Sequence, residues 1–135
     1  MKLTEAIRRV DELKHNTYTS GEKIAWLSEL DGMAKTTIFD THFRNPGEPE
    51  IKFSGYSEES MSEESWKDPD LLIPAPWDKI YILWLQAQID YYNGEYDRYA
   101  NSATAFNAVL KDYENFYHRT HGMPSQAFSQ GGEPV

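Results

Sequence analysis

Cysteine is absent from the 135-residue chain, so neither a disulfide framework nor a thiolate metal site can form. Long apolar runs are also absent, and no stretch approaches the ~18 residues that a membrane span needs. The chain opens on a charged amphipathic pattern and lacks the apolar core of a signal peptide. We therefore expect a soluble protein in a cytoplasmic or intravirion setting, with no membrane partner.

Basic residues are scarce: 13 Lys and Arg stand against 22 Asp and Glu, for a net charge of −9. The excess is concentrated in residues 44–76, where three basic and eight acidic side chains leave −5. Residues 1–43 carry −1 and residues 77–135 carry −3. Binding to a phosphate backbone gains from clustered Lys and Arg, which this chain does not have. Direct sequence-specific nucleic-acid binding is therefore not expected.

Apolar spacing predicts two helices in the first third of the chain. Residues 3–14 place apolar side chains at three- and four-residue steps, which favours a helix with one buried face. Those side chains are Leu3, Ala6, Ile7, Val10 and Leu13. Thr19 and Glu22 then have capping-box spacing. A second helix should begin there and end near Phe43, before the turn-forming Asn-Pro-Gly at 45–47.

Residues 44–76 contain five Pro and read as an irregular acidic insertion. Residues 51–53 alternate in the manner of a strand and predict one arm of a small β-hairpin, with residues 71–73 as the other arm. The acidic stretch between them is expected to be an exposed, mobile loop. The residues proposed for a flexible contact loop are Glu58, Glu59, Glu63, Glu64 and Trp66.

A third helix is predicted over residues 77–93. Its centre is apolar on every side, so it should be central or covered by a neighbouring subunit. Asn93-Gly94 is a helix stop, and the fourth helix that follows should form an antiparallel hairpin with the third. The fold class is thus mainly α, with a single helical domain over residues 1–123. Residues 124–135 are rich in Gly, Ser, Gln and Pro and predict a flexible C-terminal tail.

Aromatic side chains make up 14% of the chain, with nine Tyr, six Phe and four Trp. Core packing explains about half of those near residues 77–99, since Tyr and Trp fill helical cores when their polar tips reach a partner. The remainder exceeds what a monomer of this size can bury, which indicates a subunit or partner interface. The predicted interface residues are Trp77, Tyr81, Trp84, Tyr91, Tyr92, Tyr96 and Tyr99.

Motifs for catalysis are missing: no nucleophile elbow, phosphate loop or HExxH occurs. We therefore expect neither an enzyme nor a cofactor, although one ligand set leaves a small α-helical metal-dependent hydrolase as an alternative and a second set could share a metal ion. Those sets are Glu29, Asp31 and Asp90 on the helices, and Glu114, His118 and His121 near the end of the fourth helix. The non-functional interpretation is that the carboxylates are surface charges on amphipathic helices. The histidines would then be solvated side chains at a helix C-terminus, where the helix dipole favours them.

Four segments of the chain resemble small phage and prophage proteins of Firmicutes that act as head-tail connector, or adaptor, proteins. They are WLSELDG at 26–32, PAPWDKIY at 74–81, LQAQID at 85–90 and NGE at 93–95. The resemblance spans most of residues 3–121, and its most specific blocks are 30–32 and 74–76. Neither of those blocks is a catalytic motif.

The resemblance implies a helical subunit that assembles into a homo-oligomeric ring beneath the portal protein. A loop or tail would reach neighbouring subunits, the portal and tail-completion proteins. The implied location is the head-tail junction of the virion, and the host cytoplasm during assembly. A second alternative, besides the hydrolase, is an acidic DNA-mimic inhibitor or regulatory protein.

Overall fold

Four α-helices make up most of the computed structural model, which describes residues 1–123. They are α1 (Leu3–Leu13), α2 (Ser20–Ala34), α3 (Ile80–Tyr92) and α4 (Tyr96–Thr120). A π-helical turn, Lys35–Phe39, extends α2, and two 3-10 turns lie at Glu59–Ser62 and Trp77–Lys79. The mainly α class is confirmed. The predicted C-terminal tail, residues 124–135, lies outside the described residues.

Local signals set the start of α2. The Thr19 hydroxyl accepts a hydrogen bond from the backbone N–H of Glu22 at 3.1 Å. The Glu22 carboxylate accepts one from the backbone N–H of Thr19 at 3.3 Å. Two backbone donors at the helix start are thereby satisfied, as the capping box requires. The predicted beginning of the second helix is confirmed.

Helix α3 is the central element, in contact with α1, α2 and α4. Its apolar side chains are buried around the helix, with Ile80, Leu85 and Ile89 fully enclosed. A helix with no polar stripe can only be stable when covered on all sides, and here the chain's own helices supply that cover. The prediction of a central third helix is confirmed.

The chain reverses at Asn93-Gly94, where Gly94 adopts a φ of +74° that other residues rarely tolerate. Helix α4 then runs back along α3 as the predicted antiparallel hairpin. It buries Phe106, Val109 and Tyr113 on the facing side. None of the described helices is both long and apolar enough to cross a membrane.

The predicted β-hairpin is wrong. Neither residues 51–53 nor residues 71–73 form a strand, and no strand occurs within residues 1–123. The backbone before the second segment pairs instead with the start of α1, through an isolated antiparallel bridge between Lys2 and Asp70. A hydrogen bond from Leu71 N–H to the carbonyl of Met1, at 2.9 Å, continues this pairing.

The insertion is irregular, as predicted, but it also contributes to the core. Leu71 and Ile73 are buried with the helices. Its acidic loop is held at α1 by Asp68, whose carboxylate accepts hydrogen bonds from the Thr4 hydroxyl and from the Thr4 backbone N–H. The apolar residues near the end of the insertion therefore belong to the core, which the acidic composition of residues 44–76 did not indicate.

Candidate functional site

The turn between α3 and α4 carries a cluster of exposed tyrosines, here named the tyrosine end: Tyr91, Tyr92, Tyr96 and Tyr99. Their exposed fractions are 48%, 61%, 67% and 37% respectively. The Tyr91 ring lies edge-on to the other three, with centroids 5.2, 6.2 and 5.4 Å away. The four rings therefore form one continuous aromatic surface.

The tyrosine end has a fixed support. Tyr92 stacks on Trp26 of α2, with centroids 5.6 Å apart and planes 7° from parallel. The Tyr18 hydroxyl donates a hydrogen bond to the Asn93 side chain at 2.7 Å, which ties the turn to the segment between α1 and α2. Rigid aromatic side chains lose little entropy on binding, so such a surface suits docking.

Charges beside the tyrosine end are balanced. The Lys14 ammonium lies 2.6 Å from the carboxylate of Asp90 and 3.2 Å from that of Glu95. Arg98 is 3.4 Å from Glu95 as well. The hydrogen bond with Asp90 is the main reason that the pKa of Lys14 is raised. This end is close to neutral, whereas residues 44–76 carry −5.

Three of the predicted interface residues lie inside the fold. The prediction is wrong for Tyr81, which is 0% exposed, so no partner can reach it. Trp84 is half-buried against Phe106, and its ring N–H donates to a backbone carbonyl of α2 at 2.7 Å. Trp77 is half-buried against Phe116 of α4. These rings stabilise the contacts of α3 with α2 and α4.

The acidic loop presents its carboxylates to solvent. Glu58, Glu59, Glu63 and Glu64 are all exposed. Trp66 is half-buried, and its backbone N–H donates to the Glu63 carbonyl at 3.0 Å. A contact role for these residues stays a prediction.

Asp31 is a fully buried carboxylate, 0% exposed, on α2. One oxygen accepts from the hydroxyl of Tyr81, and the other accepts from the hydroxyl of Tyr56 and the N–H of Leu72. The Tyr81 oxygen in turn accepts from the Ile73 N–H at 2.7 Å. Burial raises the pKa of Asp31 and of both tyrosines. This network joins the insertion to the helical core.

The carboxylates and histidines considered for a metal do not assemble. Asp31 and Asp90 belong to separate networks, the first with tyrosine hydroxyls and the second with Lys14 and Ser102. Within residues 1–123, no group of three or more His, Cys, Asp or Glu side chains is arranged to hold a metal ion. This finding applies to both predicted ligand sets, which are Glu29, Asp31 and Asp90, and Glu114, His118 and His121.

A groove of about 710 Å³ opens at the far end of α4, between that helix and residues 39–51. We name it the distal groove. Buried Phe39 and Tyr117 form part of its lining, and Phe43, which is 49% exposed, adds an apolar side chain. Asp40 and Glu50 place exposed carboxylates in the same lining.

Glu48 lines the distal groove and contacts His121. The Nε2 atom of His121 lies 3.0 Å from both carboxylate oxygens of Glu48. The His121 ring stacks on Tyr117, with centroids 3.8 Å apart. The hydrogen bond with His121 is the main reason that the pKa of Glu48 is lowered from its ordinary value of 4.5.

Glu48 should therefore contribute a pH-dependent part of the stability. Because its pKa is lower in the folded state, this contribution is present above pH 4.5 and is lost as the pH falls through the lowered value. We expect the wild type to unfold at higher urea than Glu48→Gln at pH 7. The difference should shrink below pH 4.5, as measured by urea denaturation from pH 7 to pH 3. A difference that stays constant over that range would contradict the assignment.

Two exposed apolar residues of these surfaces were not predicted. Helical spacing put Leu13 on the buried face of α1, but it is 66% exposed because α1 ends there. It lies in a cleft shared with Asn93 and Glu95 of the turn between α3 and α4. For Phe43, the sequence predicts only that the second helix ends near it. Apolar spacing does not show whether another segment covers the end of a helix, so it could not reveal that either side chain is exposed.

No protein-family model, curated protein or solved structure matches this chain.

Proposed function

We propose that this chain is a structural assembly subunit, not a catalyst, which associates with further copies of itself through the tyrosine end. Its proposed role is that of a head-tail connector in a tailed phage, docked between the portal and tail-completion proteins. The single observation that carries the docking role is the continuous exposed surface of four tyrosines. The connector role rests on the resemblance of residues 26–32, 74–81, 85–90 and 93–95 to such proteins.

The size of the tyrosine surface supports docking. At roughly 200 Å² per ring, the exposed fractions leave on the order of 400 Å² of tyrosine surface. Monomeric proteins seldom expose larger continuous patches unless these are functional. A stable interface buries about 800 Å² per partner, so the four rings would supply about half of one.

Charge favours a second copy as the partner at this end. Two copies that each carry −9 repel one another, and they do so least where the local charge is balanced. The ion pairs of Lys14 with Asp90 and Glu95 supply that balance beside the tyrosines. A basic partner would instead be attracted to the exposed carboxylates of the insertion.

The exposed acidic insertion fits a connector in a second way. A negative surface repels the DNA backbone, so an assembly lined by it would let DNA pass without gripping it. Electron microscopy of the purified protein, alone and mixed with a portal protein encoded in the same genome, tests this role. Closed rings that bind the portal would support a connector, and filaments or monomers that ignore the portal would contradict it.

Loss of the two most exposed rings should weaken self-association. We expect Tyr92→Ala/Tyr96→Ala to need at least ~10-fold more protein to assemble than the wild type, because aromatic anchors dominate interface energies. Sedimentation velocity over a micromolar concentration series measures this. Met33→Ala, at another exposed apolar position, is the matched control and should assemble as the wild type does. A wild type that is monomeric throughout the series would overturn the proposal.

A further inference from the structure

We infer that self-association is head-to-tail, with the tyrosine end of one copy seated in the distal groove of the next. This inference rests on the proposed assembly function and names the surface that receives the tyrosines. The occupant of the groove is thus a second copy of the chain.

The two surfaces lie at opposite ends of one rigid element. Tyr96 and Tyr99 are in the first turn of α4, whereas Tyr117 of the distal groove is in its last turn. At 1.5 Å per residue, the helix separates them by about 30 Å. A copy docked at one end therefore leaves the other end open to a further copy.

The chemistry of the distal groove matches tyrosine. A buried tyrosine needs apolar surface for its ring and a hydrogen-bond partner for its hydroxyl. The groove offers the 49% exposed ring of Phe43 for apolar contact and the carboxylates of Asp40 and Glu50 for hydrogen bonds. Phe39 and Tyr117 in its lining are each only 6% exposed. A purely apolar groove would leave tyrosine hydroxyls unpaired, and a purely polar one would offer the rings no apolar contact.

Charged residues at the margins of the two surfaces are also complementary. Arg44 lies in the lining of the distal groove and is exposed, as are Asp97 and Arg98 at the tyrosine end. Asp97 can pair with Arg44 of the next copy, and Arg98 with Glu50. A symmetric contact between two tyrosine ends would instead leave the half-exposed Phe43 ring of the distal groove uncovered.

A head-to-tail contact uses two different surfaces, so a docked pair of copies retains one free surface of each type, and assembly continues until the chain of copies closes. A symmetric contact between tyrosine ends would stop at the dimer. The two arrangements therefore respond differently when variants of the two surfaces are mixed.

Mixing two assembly-deficient variants tests the inference. The first is Tyr92→Ala/Tyr96→Ala, which keeps the distal groove, and the second is Phe43→Asp, which keeps the tyrosine end. We expect each to be monomeric alone at concentrations where the wild type assembles. An equimolar mixture should form dimers and nothing larger, since only one competent pair of surfaces remains. Sedimentation velocity of the three samples and of the wild type measures this.

Glu50→Lys serves as a second groove variant, because the exposed Glu50 side chain can be replaced without loss of core packing. Thermal unfolding of each variant establishes that it is folded. If both groove variants assemble as the wild type does, or if the mixture forms no dimer, the head-to-tail inference is overturned while self-association stands. A monomeric wild type would instead remove the proposed function itself.

Discussion

Replacing Asp31 with alanine is expected to lower the free energy of unfolding by about 3 kcal/mol. The carboxylate is the acceptor for the hydroxyls of Tyr56 and Tyr81 and for the N–H of Leu72. Each buried donor left without an acceptor costs about 1–3 kcal/mol. Tyr56 is only half-buried and can turn toward water, and removal of a buried charge returns part of its desolvation cost. The net loss of unfolding free energy should therefore be smaller than the summed cost of three unpaired donors.

Glu29→Ala is the matched control for this change, because Glu29 is an exposed carboxylate on the same helix. Its replacement should alter the free energy of unfolding by less than about 0.5 kcal/mol. Urea denaturation of both variants and the wild type at pH 7 gives the comparison. A loss below about 1 kcal/mol for Asp31→Ala would mean that the network does not hold the insertion to the core.

The helices could be predicted because their signals are local. The capping box joins Thr19 to a residue three positions later, and backbone donors at that helix start have few other partners. The reversal at Gly94 likewise follows from the conformational freedom of one residue. Neither signal depends on contacts with the rest of the chain. The helix start and the chain reversal therefore lie where the sequence predicts them.

Which aromatic residues are buried and which are exposed could not be predicted from the sequence. Tyr81 and Tyr91 belong to the same helix, and its apolar centre has no polar stripe to mark the outward side. Only the placement of α2 and the insertion encloses Tyr81, and only the end of the hairpin exposes Tyr91. Both depend on contacts between residues far apart in sequence, which spacing does not report.

Asp31 shows the same limit for a polar residue. It lies seven positions after Ile24 and four after Leu27, on the apolar face of α2, where a carboxylate is unexpected. A carboxylate at that position indicates a special role for the side chain, and a metal ligand is one interpretation of that role. The actual partners, Tyr56 and Tyr81, lie 25 and 50 residues further along the chain.

The distal groove was not foreseen for a related reason. It forms where residues 39–51 return to the end of α4, fixed by the Phe43 N–H bonded to the Gly122 carbonyl at 2.6 Å. The Asn-Pro-Gly turn predicted that the helix stops there but not where the chain goes next. A concave surface of this origin appears only once two distant segments have been brought together.

The same chemical change at two leucines should separate stability from assembly. Leu85→Ala removes a fully buried side chain from the centre of α3 and should cost about 2–5 kcal/mol in the free energy of unfolding. Leu13→Ala removes an exposed side chain from the cleft at the turn between α3 and α4 and should cost less than about 0.5 kcal/mol. Urea denaturation measures both values.

Sedimentation velocity of the same two proteins should give the opposite order. Leu13 adds apolar area next to Asn93 and Glu95, where a docked copy would cover it, so Leu13→Ala should raise the concentration needed for assembly. Leu85→Ala should assemble as the wild type does under conditions where it remains folded, since Leu85 reaches no surface. Equal assembly by wild type and Leu13→Ala would place this cleft outside the interface and confine docking to the tyrosine rings themselves.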